Sequence, residues 1–310
     1  MENTYYVAKD GSDSNSGTQD EPWETLNRAS YVDEHSRVVV GPGIYHEQLD
    51  IRNSNVEFIG QGAIIDGSFT QLNWNGLVRI SNLENVVVRG FTIQNSSYFG
   101  IYIKDNCRNI QITDNEIYEC QSSGIIVFHG DGHSEHISIT DNIVDTTCMN
   151  MNQEGISLSN VKGFSICENK VINCHKEGID VKYGCQNGHI YNNFVANCAD
   201  VRPCIYVDAF SKVNKDIEVN SNVCYGNGQG ISLATEEGGE LYRITVTDNT
   251  CTVDSNAFSI HGYNTEGSHL KKDIYVSLNV FWSENGKAIQ ITDDESNFDN
   301  LVMMNNYLEE

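Results

Sequence analysis

Short alternating segments of apolar and polar residues recur along the chain at nearly even spacing. Each begins with a small residue and has apolar residues at its second and fourth positions, as in Gly100-Ile-Tyr-Ile, Gly155-Ile-Ser-Leu and Gly178-Ile-Asp-Val. Successive side chains of a strand point to opposite faces, so the second and fourth residues would face a core and the third would face outward. The pattern predicts one such strand per unit, repeated along one sheet.

A second alternating stretch in each unit ends at an asparagine. This asparagine recurs with the same spacing as the small-residue segments. Residues 108–115, 135–142, 162–169 and 241–249 align on it, and Gly90 is placed in the same position one unit earlier. Extending the alignment gives Asn115, Asn142, Asn169, Asn193, Asn222, Asn249, Asn279 and Asn306, spaced by 24 to 30 residues. No unit contains an apolar pattern long enough for a crossover helix. A unit of about 27 residues with two or three strands and no helix predicts one coil of a parallel β-helix.

The predicted fold is therefore all-β, a single parallel β-helix domain over residues 1–310 with about nine coils. Residues 1–48 form an N-terminal strand and cap, in which Glu21–Val32 is expected to be a short amphipathic helix opened by Pro22. Residues 49–310 form the coils. The asparagines should stack at one corner, where Asn tolerates a left-handed bend and its amide can bond to the next Asn. Most of the ten cysteines are expected to form buried columns, because they follow the same repeat.

The opening segment from Tyr5 to Thr18, followed by Pro22-Trp-Glu-Thr-Leu, resembles the start of secreted right-handed parallel β-helix proteins of the pectate-lyase-like superfamily. The coils from about residue 50 onward resemble the repeats of that group. The resemblance implies a glycan bound in a groove along the sheet of small-residue segments. It also implies a polysaccharide lyase, a glycoside hydrolase, an epimerase or a phage tail protein, because the superfamily includes all of these.

The net charge of the chain limits the classes of partner that it can bind. With 43 acidic and 19 basic residues the formal net charge is −24, which argues against nucleic acid and anionic membranes. The N-terminus lacks the basic and apolar stretches of a secretion signal. The resemblance favours a secreted or cell-surface protein, with an intracellular protein or a virion component as the alternatives. No C-terminal cap is visible after the last asparagine, so a monomer or a homotrimer that covers this edge is expected.

Charged outward residues concentrate on two adjacent coils. Asp180 and Lys182 lie on one coil and Tyr206 and Asp208 on the next, flanked by Arg202. The catalytic candidates are Asp180, Lys182, Asp208 and Arg202; the substrate-binding candidates are Tyr102, Lys104, Tyr206, Glu236, Glu237 and His261. A purely structural alternative is an ion pair between Lys182 and Asp208.

Two reactions suit this patch. In the families resembled, calcium held by acidic residues neutralises a uronate while Lys or Arg removes the proton for β-elimination, which implies Ca²⁺ at Glu177, Asp180 and Asp208. Elimination by a polysaccharide lyase is favoured, although carboxylates beside Lys182 would raise its pKa, which is unhelpful for a base. The alternative is an inverting glycoside hydrolase, because Asp180 and Asp208 should have α-carbons about 8 Å apart. A non-catalytic glycan-binding tail protein or adhesin is the third hypothesis.

The family motifs do not decide between these reactions. The Asn-Thr-Asp, Asp-Asp and Gly-His-Gly pattern of galacturonan hydrolases is absent. Lyases of the calcium-and-lysine type place their lysine two residues after the strand glycine, where this chain has Asp180 instead.

Overall fold

The computed structural model describes residues 3–128, 132–150, 152–263 and 269–309. These residues form three parallel sheets in which each strand pairs with the corresponding strand of the coil before and the coil after. The architecture is a right-handed parallel β-helix of about nine turns, as predicted.

Sheet 1 contains twelve strands and carries the alternating stretches that end at the asparagines. Its strands are Asn3–Val7, Ser36–Val40, Val56–Gly60, Glu84–Arg89, Arg108–Thr113, Ser134–Thr140, Val161–Cys167, Gln186–Tyr191, Val213–Asn220, Glu240–Thr247, Lys271–Ser277 and Phe298–Met304.

Sheet 2 contains eleven short strands that follow the asparagine corner. They are Gly43–Tyr45, Ala63–Asp66, Thr92–Gln94, Glu116–Tyr118, Ile143–Asp145, Lys170–Ile172, Phe194–Ala196, Val223–Gly226, Thr250–Val253, Val280–Ser283 and Tyr307–Glu309.

Sheet 3 contains ten strands, eight of which are the predicted small-residue segments. Its strands are Leu49–Ile51, Gly76–Ser81, Phe99–Lys104, Ile125–Phe128, Ile156–Ser159, Ile179–Lys182, Pro203–Phe210, Gln229–Glu236, Phe258–Tyr263 and Ile289–Thr292. The inward residues, such as Ile101 and Ile103, are fully buried in the core, which confirms the assignment of faces.

Helical structure is sparse. The predicted N-terminal helix is only Leu26–Ala29, with Thr25 as its N-cap, and Pro22 lies outside it. The longer helix was predicted wrongly because Trp23 continues the backbone pairing of Val7 and cannot be helical at the same time. Leu26 and Ala29 are nonetheless buried against the first coil. The other helix in the described part of the chain is the 3₁₀ turn Glu295–Asn297. Neither has the length or hydrophobicity that a membrane-spanning helix requires.

The asparagine stack is confirmed along its whole length. Each side-chain amide from Asn115 onward donates to Oδ1 of the next asparagine, at 2.9 to 3.1 Å, and the ladder ends at Asn306. The expectation that the asparagine itself is left-handed was wrong, because the left-handed residue of the corner is the one before each ladder position, for example Asp114 with φ 56°. Gly90 has φ 74° and pairs with this preceding position, so Phe91 occupies the ladder position and the placement of Gly90 was wrong by one residue.

All ten cysteines are buried, and none of them forms a disulfide. Cys224 and Cys251 are register partners on adjacent strands of sheet 2, so these two stack as the period predicted. Buried thiols of this kind act as small apolar side chains.

Candidate active site

A cavity of about 250 Å³ lies on the outer face of sheet 3, where its strands Ile179–Lys182 and Pro203–Phe210 run side by side. Two kinds of element supply its walls. The strands contribute outward side chains, and the turns that lead from sheet 2 into sheet 3 contribute the residues just before each strand. Its lining consists of Glu154, Lys176, Glu177, Asp180, Lys182, Val201, Arg202, Pro203, Tyr206, Asp208, Gln229, Glu236, His261 and Tyr263.

The strand register places the two aspartates as predicted. Asp180 pairs with Tyr206 and Lys182 pairs with Asp208, so the two aspartates are offset by two residues on neighbouring strands. Both carboxyl groups are buried, and the Oδ1 atom of each has no hydrogen-bond partner among the described residues. Two buried acids this close must influence each other's ionisation.

Lys182 does not pair with Asp208. Its Nζ atom lies 2.9 Å from Oδ2 of Asp180 and 2.7 Å from Oε2 of Glu154. Although burial acts to lower it, the pKa of Lys182 is raised above its usual value by these two carboxylates. The ammonium group is therefore held in its charged form.

Glu154 is the central residue that sequence reasoning missed. It is buried, and it accepts hydrogen bonds from Ser157, Lys182 and Lys176. Burial raises its pKa, but Lys182 and Lys176 outweigh burial and lower the pKa of Glu154 to about 2. A signal was present in the sequence, because Glu154-Gly-Ile repeats Glu177-Gly-Ile one coil earlier.

Glu177 and Arg202 form a further ion pair in the cavity lining. Arg202 Nη1 donates to Glu177 Oε1 at 3.0 Å, and Lys176 Nζ lies 3.6 Å from Oε2 of Glu177. Lys176 thereby bridges Glu154 and Glu177, which fixes the turn that leads into strand Ile179–Lys182. Lys176 was also absent from the sequence-based candidates.

The two aspartates differ in their neighbours. Burial raises the pKa of Asp180 to about 8, with Lys182 acting in the opposite direction and Glu154 adding to the rise. Burial, together with the carboxyls of Asp180 and Glu236, raises the pKa of Asp208 well above its usual value. Only Asp180 has an ammonium group in direct contact. Asp208 therefore keeps its proton more firmly, and Asp180 is the member of the pair that ionises more readily.

A hydroxyl network closes the opposite side of the cavity. The hydroxyl of Tyr206 donates to Oε1 of Glu236 at 2.8 Å, and its oxygen lies 3.2 Å from Nε2 of His261. Burial, followed by the charge of Lys271, lowers the pKa of His261 to about 4. The imidazole is thus neutral at pH 7. Burial and the charges of Asp208 and Glu236 raise the pKa of Tyr206.

The cavity therefore gathers most of the predicted residues but not all. Tyr102 is buried beneath an aromatic cluster, because the ring of Phe99 and the residues around Trp74 cover the outer face at its coil. Lys104 lies three strands from strand Ile179–Lys182 and pairs with Asp105. Glu237 lies in the turn after strand Gln229–Glu236, outside the cavity lining.

The predicted calcium site gains no support from this geometry. Within the described ranges, no three His, Cys, Asp or Glu side chains converge so as to hold a metal ion. Arg202 and Lys176 neutralise Glu177, and Lys182 neutralises Asp180. Calcium at Glu177, Asp180 and Asp208 stays a prediction from the resemblance.

These features define a right-handed parallel β-helix protein, which is the fold of the pectate-lyase-like superfamily that the sequence resembles. A family model described as "Right handed beta helix region" matches residues 31–150. The chain belongs to the family described as "Periplasmic copper-binding protein (NosD)", whose model matches residues 144–309. Copper prefers thiolate, thioether or imidazole ligands. The cysteines here are buried as small side chains of the core, and the described residues contain no group of three His, Cys, Asp or Glu side chains that could hold a metal ion. These residues therefore do not fit copper.

One sequence relative and two solved structures are similar to this chain. The uncharacterized protein YwoF of Bacillus subtilis (strain 168) is 28% identical over 335 residues, which cover 92% of this chain and 69% of YwoF. The endo-xylogalacturonan hydrolase from Aspergillus tubingensis superposes with a TM-score of 0.70 at 14% identity, covering 96% of this chain and 92% of that one. The alginate lyase from Paenibacillus sp. str. FPU-7 gives 0.68 at 15% identity, with 99% and 100% coverage. Both similarities are to the fold.

Proposed function

We propose that this protein hydrolyses a glycan in the cavity on sheet 3, with Asp208 as general acid and Asp180 as general base. The observation that carries the proposal is the pair of buried carboxyls on adjacent strands, of which only Asp180 has a direct cation partner. Two interacting carboxyl groups in such different surroundings differ in their affinity for a proton. One of them can then act as the acid and the other as the base, as acid–base catalysis requires.

The steps of an inverting hydrolysis follow from these positions. Asp208 gives its proton to the glycosidic oxygen as the bond between that oxygen and the anomeric carbon breaks. Asp180, in the fraction of molecules in which it is ionised, takes a proton from a water molecule whose oxygen bonds to the anomeric carbon from the opposite face; because its pKa is about 8, turnover should rise with pH toward that value. The register predicts α-carbons about 8 Å apart, which is compatible with the separation of about 6.5 to 9.5 Å between carboxyls that leaves room for this water.

The geometry favours hydrolysis over the elimination that the sequence suggested. Lys182 would have to lose its proton to act as a base, but Asp180 and Glu154 hold it in the charged form. Its contacts suit a different role, which is to favour the ionised form of Asp180.

The proposed substrate is a neutral glycan. The cavity lining has five carboxyl groups against two lysines and one arginine, and those cations already pair with carboxyls. A polyuronate would also meet a protein of formal net charge −24. The family description and the fold support a location outside the cytoplasm, and fractionation of cells that express the full-length gene tests it.

The test is a panel of neutral and uronate polysaccharides incubated with the purified protein. Two products are measured, new reducing ends and the ultraviolet absorbance of unsaturated uronates. Hydrolysis predicts reducing ends without unsaturated products, and inversion at the anomeric carbon by NMR. Unsaturated products would refute hydrolysis in favour of elimination, and tight binding without either product would favour the non-catalytic hypothesis.

Variants then assign the roles. Asp208→Asn and Asp180→Asn should each reduce turnover by about 10² or more while the protein remains folded. Asp216→Asn is the matched control, because Asp216 pairs with Arg243 on sheet 1, away from the cavity. Near-normal turnover in both cavity variants would place the active site elsewhere. Light scattering on the same samples distinguishes the predicted monomer from the homotrimer.

A further inference from the structure

An aromatic cluster lies on the same outer face of sheet 3 as the cavity. We call it the Trp74 cluster; it consists of Trp74, Tyr98, Phe99, Tyr102, Ile126 and Phe128. Trp74 lies against three of these rings, with centroids 5.4 to 5.5 Å apart and steep interplanar angles. Phe99, Tyr102 and Ile126 are buried beneath it.

Trp74 itself remains 41% exposed. It lies in the turn between Ala63–Asp66 and Gly76–Ser81, and its backbone is left-handed, with φ 51°. An indole that covers three other rings yet stays partly in solvent is poorly explained by core packing alone.

The cluster is continuous with the cavity. On the outer face, residues paired across adjacent strands form one row, which we call the register row. Its members, in order, are Tyr102, Ile126, Ser157, Asp180 and Tyr206. Ile126 belongs to the cluster, and its partner Ser157 donates to Glu154 in the cavity lining. The strands Ile125–Phe128 and Ile179–Lys182 are two steps apart, which is about 10 Å.

We propose that the Trp74 cluster is a second sugar-binding subsite, which stacks on a sugar ring of the glycan whose cleaved bond lies in the cavity. A sugar has an apolar C–H face and polar edges, so one oligosaccharide can satisfy an indole at one end of the row and ionic groups at the other. The exposed part of the cluster is essentially one ring, whereas stable protein interfaces bury about 800 Å² per partner. This inference rests on the proposed function for the identity of its ligand.

The experiment uses the full chain and measures binding without turnover. Asp208→Asn is run in native gels cast with xylan, mixed-linkage glucan, xylogalacturonan, polygalacturonate or alginate, and retardation gives the apparent Kd. In the same background, Trp74→Asn removes the ring while Asn tolerates the left-handed backbone, and Trp74→Phe keeps an aromatic face. Tyr225→Ala is the matched control, because Tyr225 is 55% exposed on sheet 2.

The expected result is retardation by at least one polysaccharide, weakened about ten-fold in Trp74→Asn, largely restored in Trp74→Phe and unchanged in Tyr225→Ala. Ten-fold corresponds to about 1.4 kcal/mol, within the range of one aromatic contact. Equal retardation of Trp74→Asn and its parent overturns the subsite, as does a parent that no polysaccharide retards. A change of oligomeric mass in Trp74→Asn overturns it in favour of a second copy as occupant. Retardation without cleavage by the wild-type protein would refute the hydrolase proposal and leave the subsite standing.

Discussion

Replacing Asn169 by alanine tests how far the ladder stabilises the solenoid. Oδ1 of Asn169 accepts from the backbone N–H and the side-chain amide of Asn142, each at 3.0 Å. Its own amide donates to Asn193 and to the carbonyls of Ile139 and Cys167. The substitution removes all five bonds in a corner that water does not reach.

The hydrogen-bonding groups that were partners of Asn169 are affected to different extents. The side-chain amide of Asn142 keeps its bonds to two carbonyls, and Oδ1 of Asn193 still accepts from the backbone of residue 169. The backbone N–H of Asn142 loses its acceptor and stays buried. One such orphaned donor costs about 1 to 3 kcal/mol, and the lost bonds add to it, so we expect a loss of about 3 kcal/mol in the free energy of unfolding.

Urea unfolding followed by circular dichroism measures the change. Asn306→Ala is the control, because it is the last residue of the same ladder and is partly exposed, so water can replace its bonds. We expect it to cost less than half as much. A value for Asn169→Ala within about 0.5 kcal/mol of wild type, or equal losses in both variants, would refute the argument that burial makes the ladder costly to break.

Two further predictions follow from burial. Burial raises the pKa of Asp180 to about 8 in the native state, whereas the unfolded chain releases this proton near the ordinary pKa of 3.8, so this residue makes stability fall as pH rises between these values. Asp180→Asn should flatten that slope in urea unfolding at several pH values, while Asp216→Asn should not; an unchanged slope would show that Asp180 is ionised in the folded protein. All ten cysteines are buried, so a thiol reagent should modify none of them until the protein unfolds, and rapid labelling of the native protein would contradict this packing.

The sequence by itself determined the solenoid. Coil period, strand assignment and asparagine corner could be read directly, because each coil repeats one local pattern and pairs only with its neighbours. The same regularity put Asp180 and Asp208 on adjacent strands with the correct offset. Local exceptions to the repeat were harder to read, as the shortened N-terminal helix and the placement of Gly90 demonstrate.

Only the tertiary structure decided which charges meet. Lys182 is the register partner of Asp208 and lies two residues after Asp180 on its own strand. Its flexible side chain turns to Asp180 and to Glu154, a residue supplied by a turn on the preceding coil. Tyr102 occupies an outward position as predicted, yet Trp74 folds over its coil from a turn whose path no repeat specifies. Strand periodicity fixes the direction in which a side chain leaves the backbone, whereas turns and long side chains determine what it contacts.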